Sequence, residues 1–125
     1  KEINDTFGHL VGSNTLQVVA DLLHQCVREV DTLFRYGGDE FTALLVETDK
    51  EGAAVVAERI RKTIEHCDFT FSSDIAFRLT ATVGFATFPD DSKEKEPLID
   101  LADKAMYHGK TLRNVSRCAG DLSKR

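Results

Sequence analysis

Two adjacent glycines, Gly37-Gly38, constrain this chain more than any other feature. Residues 33–36 before them and 41–47 after them are short apolar runs of strand length. Glycine reaches backbone angles closed to other residues and interrupts regular structure, so the chain has to turn here. Two short strands about a Gly-Gly-Asp-Glu turn predict a β-hairpin. Its tip carries two adjacent carboxylates, Asp39 and Glu40, beside backbone that no side chain shields. Such a turn suits Mg²⁺, a hard ion that takes carboxylate oxygens and shares its remaining shell with phosphates. Read as four letters alone, the same turn is an ordinary hydrophilic loop.

The hairpin needs neighbours to cover its apolar face. Over residues 12–30 the positions Leu16, Val19, Leu23, Val27 and Val30 recur at helical spacing, with Ser13 or Asn14 as N-cap. Residues 49–67 repeat the pattern through Ala53, Val56, Ala57, Ile60 and Ile64. Phe77, Leu79, Ala81, Val83 and Phe85 alternate, which predicts one strand over 77–87, closed by Pro89-Asp90-Asp91. Pro97 opens a third helix with Leu98, Leu101, Ala102, Ala105 and Met106 inward. The order helix, hairpin, helix, strand, helix describes one α/β domain over residues 1–115, with 116–125 a frayed polar tail.

Composition narrows the function classes. A chain of 125 residues can bury about two-thirds of its unfolded surface, and 42% hydrophobic with 30% charged residues argues against disorder. A net charge of −5 argues against a basic nucleic-acid-binding surface. No apolar run approaches the roughly 18 residues of a membrane span and no signal peptide opens the chain, so no membrane contact is expected within it. Cys26, Cys67 and Cys118 lie far apart, which fits reduced thiols in a cytoplasmic chain better than disulfides or a zinc site. The opening Lys1-Glu2-Ile3-Asn4, without Met, reads as a piece of a longer protein, either soluble or membrane-anchored.

Several motifs occur in order. Asn4-Asp5-Thr6-Phe7-Gly8-His9 and Gly12 precede Arg35-Tyr36-Gly37-Gly38-Asp39-Glu40-Phe41. Thr82-Val83-Gly84-Phe85-Ala86 and Ala102-Asp103-Lys104-Ala105-Met106-Tyr107, ahead of Lys110, follow. From Ile3 to about Asn114 this resembles the GGDEF family, the diguanylate cyclases. The resemblance implies a palm-like α+β fold, a central antiparallel sheet flanked by helices. It also implies condensation of two purine nucleoside triphosphates to a cyclic dinucleotide, with Mg²⁺ (or Mn²⁺ in its place) and a homodimer of facing protomers. Carried over by position, Asp39 resembles the metal ligand and proton acceptor, and Glu40 its acidic neighbour at the metal. Gly37 and Gly38 would admit the triphosphate to the backbone. Asn4 and His9 resemble substrate-side residues, with Asn4 on the purine, and Lys110 resembles the phosphate-binding Lys. Arg113 resembles the phosphate Arg, though it follows Lys110 by three residues where the family has four.

Two departures shape the expectation. The family's other metal-binding Asp lies eight residues before the Asn, which falls ahead of Lys1, so the first strand is expected outside this chain. The family's guanine-reading Asp, nine residues after the Asn, is replaced by Ser13. A carboxylate only accepts and so selects guanine's N–H edge; a hydroxyl also donates and tolerates adenine. In this Ser13 resembles the hybrid, promiscuous members that make 3′,3′-cyclic GMP–AMP alongside cyclic di-GMP, using GTP and ATP. An ordinary GTP-specific diguanylate cyclase is the alternative, and a degenerate receptor or dimerisation module is the non-enzyme reading. Arg28 and Asp31 resemble the family's inhibitory Arg-x-x-Asp product site and Arg59 its secondary Arg; read alone, Arg28 and Asp31 are an exposed ion pair on a helix end.

Overall fold

The computed structural model describes residues 8–37, 40–88, 90, 91, 93, 95–110 and 115–119. The chain divides into two compact units, residues 1–46 with 66–79, and residues 47–65 with 80–125.

In the first unit, helix α1 spans His9–Cys26 and begins earlier than its apolar spacing predicts. Its N-cap is Gly8, at φ 93, a left-handed angle open to glycine at little cost. The Gly12 N–H donates to the Gly8 carbonyl at 3.2 Å, so the helix is already under way before Ser13. Ser13 is therefore not a cap, correcting the expectation from serine's preference. The helix stops at Cys26, with Val27 extended, and does not run on to Val30. Strands β1 (Thr32–Gly37) and β2 (Glu40–Leu44) form the expected hairpin. The first unit is completed by β3 (Phe69–Thr70) and β4 (Ala76–Phe77), a short antiparallel pair that the apolar pattern does not foretell. Phe69, 2% exposed, stacks on Phe77 with ring centres 5.8 Å apart, and the buried Leu23 and Cys26 belong to α1.

The second unit holds α2 (Lys50–Glu65), β5 (Val83–Phe85), α3 (Lys95–Lys110) and β6 (Ser116–Cys118). Asp49 caps α2, its Oδ1 accepting from the Gly52 N–H at 2.7 Å. Ala53, Ala57 and Ile64 form the buried face of α2. Both helices pack against β5 and β6. Contact between α3 and β5 is close at Gly84, where a Cβ would strike the backbone of Ala102 and Met106.

Two sequence expectations are corrected here. The predicted strand over 77–87 is two strands, because β4 pairs with β3 in one unit and β5 with β6 in the other. Alternation predicts which side chains share a face and is blind to where the backbone partner changes. Residues 116–118, expected in a frayed tail, form β6, parallel to β5 with Val83 opposite Ser116 and Phe85 opposite Cys118. A parallel pair needs a long crossover, which α3 supplies. Among the described residues the strands thus pair two by two, two antiparallel ladders and one parallel. No helix of the described residues is long and apolar enough to cross a membrane.

Candidate active site

The hairpin ladder runs Thr32 to Leu44, Leu33 to Ala43, Phe34 to Thr42, Arg35 to Phe41 and Gly37 to Glu40. A register shift between Arg35 and Gly37 places one extra residue on β1, a bulge of the kind that re-aims a strand end. Pairing therefore extends to Gly37 and Glu40, closer to the glycines than the run of apolar residues indicates. Glu40 opens β2 and is half-buried. Gly38 and Asp39, between these partners in sequence, lie outside the described residues. So do Asn4, Arg113 and the side chains of His9 and Lys110; His9 is the first residue of α1 and Lys110 the last of α3. Among the described residues no three His, Cys, Asp or Glu side chains gather as a metal site. Glu40 is the described member of the expected acidic pair.

A cleft of about 250 Å³ lies between α1 and the hairpin. Ser13, Leu16, Gln17, Ala20 and His24 line it from the helix, and Leu33, Phe34, Arg35 and Phe41 from the strands. Pockets for drug-sized ligands run to roughly 300–1,000 Å³, so this cleft is smaller than such a pocket. Its walls are chiefly apolar, with the Ser13 hydroxyl, the Gln17 carboxamide and two basic side chains, His24 and Arg35, supplying polarity. The helical members recur at three- and four-residue spacing, a stripe offset from the apolar one. That spacing was readable for Gln17, Ala20 and His24, but nothing in the sequence distinguishes such a stripe from solvated surface.

Arg28 and Asp31 meet, though not on a helix. They occupy the turn after α1, closed by the Asp31 N–H to the Arg28 carbonyl at 3.0 Å. The Asp31 carboxylate accepts from the Arg28 N–H at 2.8 Å, from Arg28 Nη2 at 3.1 Å and from the Val46 N–H at 2.8 Å. Arg28 Nη2 in turn donates to the Val46 carbonyl. Burial of Asp31 opposes its ionisation, but the Val46 N–H, the Arg28 hydrogen bonds and the Arg28 charge together hold its carboxyl below the usual range. The pair is thus a brace between the end of α1 and the chain beyond β2. Arg59 is exposed on α2, in the second unit.

The family model described as "Diguanylate cyclase, GGDEF domain" matches residues 1–114. Diguanylate cyclase A of Treponema denticola is 37% identical over 110 residues, covering 88% of this chain and 29% of that protein. Diguanylate cyclase DosC of Escherichia coli is 38% identical over 110 residues, covering 88% of this chain and 24% of that protein. The chain thus spans less than a third of the length of these curated relatives. Among solved structures it is similar to the GGDEF domain of YfiN from Pseudomonas aeruginosa, with a TM-score of 0.87 and 32% identity over 94% of this chain and 73% of that one. It is also similar to the GGDEF domain of DgcB from Caulobacter crescentus in complex with c-di-GMP, with a TM-score of 0.84 and 27% identity over 95% of this chain and 71% of that one.

Proposed function

We propose that this chain, which belongs to the GGDEF family of diguanylate cyclase domains, is the catalytic part of a cyclic dinucleotide synthase that accepts both GTP and ATP. Its products are 3′,3′-cyclic GMP–AMP and cyclic di-GMP. The observation that carries the mixed product is the position of Ser13, exposed in the second turn of α1, lining the cleft and capping nothing. Freed of a capping role, its hydroxyl can donate to adenine N1 or accept from guanine N1–H.

In the reaction, a 3′-oxygen on one nucleotide attacks the α-phosphorus of the other. Its proton passes to the Asp39 carboxylate, the bond to the β-phosphate oxygen breaks and pyrophosphate leaves. Two equivalent linkages call for two equivalent half-sites, which a C2 homodimer provides. Gly37 and Gly38 leave the backbone open to the triphosphate, Lys110 and Arg113 offset its charge, and Asn4, His9 and Ser13 hold the purine side. Asp39 and Glu40 are adjacent oxygen donors, the chemistry Mg²⁺ takes, and would hold that ion where it neutralises charge on the phosphates. Arg28 and Asp31, with Arg59, bind the product back, the guanidinium reading guanine O6 and N7.

The test is chromatography of the products that the longer protein carrying this chain forms from equimolar GTP and ATP. Both dinucleotides are expected, and Ser13→Asp should lower the mixed product roughly tenfold to a hundredfold while GTP turnover stays. Asp39→Asn should abolish both products. Cyclic di-GMP alone from the unmodified protein would favour the GTP-specific reading, which the names of the relatives support. No product at all would leave a receptor or dimerisation module.

A further inference from the structure

A guanine edge offers two acceptors, O6 and N7, and takes a bidentate pair of N–H groups from a guanidinium. Two edges of a guanidinium can supply such a pair, Nε with Nη2 and Nη1 with Nη2, so Nη2 belongs to both. In Arg28, Nη2 already has two acceptors for its two protons. One is Asp31 Oδ1 at 3.1 Å, beside Nε on Asp31 Oδ2 at 3.3 Å, and the other is the Val46 carbonyl. Guanine therefore takes a full edge of Arg28 only by displacing one of these partners. Val46 is the weaker, because its carbonyl is neutral. Asp31 is buried and charged, and also accepts from the N–H groups of Arg28 and Val46.

The Val46 carbonyl shares a peptide plane with the Glu47 nitrogen, so turning it away from Arg28 rotates φ of Glu47. That angle is φ 46, the one left-handed angle outside glycine among the described residues. Glycine enters this region freely and asparagine often, other side chains at a cost that is highest for β-branched ones. We infer that the Arg28–Val46 bond is a latch that competes with product: a guanine edge taking Arg28 releases the Val46 carbonyl and lets Glu47 leave its left-handed angle. The inference rests on the product site proposed above at Arg28 and Asp31. Val46 ends the first stretch of one unit and Glu47 begins the other, so the release falls where the chain passes from one to the next. By linkage, a residue that favours the left-handed angle at 47 weakens product binding, and one that disfavours it tightens binding. The competing accounts are a fixed brace that product leaves in place, and an exposed Glu47 that touches the product itself.

Titration calorimetry of cyclic di-GMP into the longer protein carrying this chain, freed of bound nucleotide, separates them. Glu47→Gly and Glu47→Asn ease the left-handed angle and should weaken binding roughly three- to tenfold. Glu47→Val opposes that angle and should tighten binding by roughly threefold. Glu47→Gln removes only the charge of an exposed side chain and should leave the affinity within about twofold. Weaker binding in all four variants would make Glu47 a contact of the product and overturn the latch. Affinities unmoved by all four, with Arg28→Ala still weakening binding, would also overturn it and leave the product site standing. An unmodified protein that does not bind cyclic di-GMP, or binds it no better than Arg28→Ala does, would overturn the product site and the latch together.

Discussion

The two units each hold an arginine and a carboxylate three residues apart, and the pairs are built in opposite ways. In the first unit the acid is hidden and the base exposed: the Asp31 side chain is 2% exposed and that of Arg28 57%. In the second the order reverses, with Arg61 at 16% and Glu58 at 45%. Asp31 gathers backbone N–H groups from Arg28 and Val46 in a turn, and the largely exposed Arg28 guanidinium bonds the same carboxylate and the Val46 carbonyl. Glu58 lies within α2, bonds Arg61 Nε at 2.8 Å and accepts from the Ser116 hydroxyl at 2.6 Å, tying α2 to β6. Equal spacing in sequence therefore yields a turn brace with an exposed guanidinium in one unit and a helical strut in the other. What decides is the backbone beneath each pair, a turn beyond α1 and a helix in α2.

The sharpest way to break the comparison is Asp31→Ala. It strips two backbone N–H groups and a guanidinium of their acceptor, which should cost about 2 kcal/mol of stability. It should also abolish tight retention of cyclic dinucleotide. A urea midpoint within error of the unmodified protein would show that water replaces the carboxylate freely.

Arg28→Ala tests the other half of the same pair. Because that side chain is largely exposed, stability should move by less than about 1 kcal/mol. Product affinity should instead fall roughly tenfold or more, the loss expected for charge-assisted bonds to a guanine edge. The inhibition constant of cyclic di-GMP reports it. Equal constants in variant and unmodified protein would reduce Arg28 to a brace.

The hairpin was the most legible part of the fold, since Gly37-Gly38 between two apolar runs leaves few alternatives. The helices were legible in kind and misplaced at their ends. Gly8 starts α1 with a backbone angle and not a side chain, so a search for serine or asparagine caps lands five or six residues late. The Arg28-x-x-Asp31 spacing was legible as a pair, but its burial depends on Val46, 15 residues beyond Asp31 and joined to it only in the fold. Strand β6 could not be read from Ser116-Arg117-Cys118 because no apolar alternation marks it; its partner β5 defines it. The cleft was passed over for a related reason: Gln17, Ala20 and His24 become its wall only when the facing hairpin is in place.

The smallest effect belongs to the strut, and it is set by pH. Hydrogen bonds from Arg61 and then Ser116, against the opposing cost of burial, lower the Glu58 carboxyl from its ordinary 4.5 to about 2. A carboxyl whose folded value is depressed stabilises the fold fully above its unfolded value and loses that contribution as pH falls toward the folded one. The contribution is therefore present above about pH 5 and lost between there and about pH 2. Its carboxylate is 45% exposed, so solvent screening reduces it to about 1 kcal/mol. Ser116→Ala should remove part of that depression and flatten the acid limb of the stability curve by a few tenths of a kcal/mol, leaving the value at pH 7 within about 1 kcal/mol of the unmodified protein. Asp31→Ala and Ser116→Ala, compared by urea midpoint from pH 7 to pH 3, test both pairs on one scale. An unchanged acid limb in Ser116→Ala would assign the whole depression to Arg61 and leave β6 without a hold on α2 through this pair.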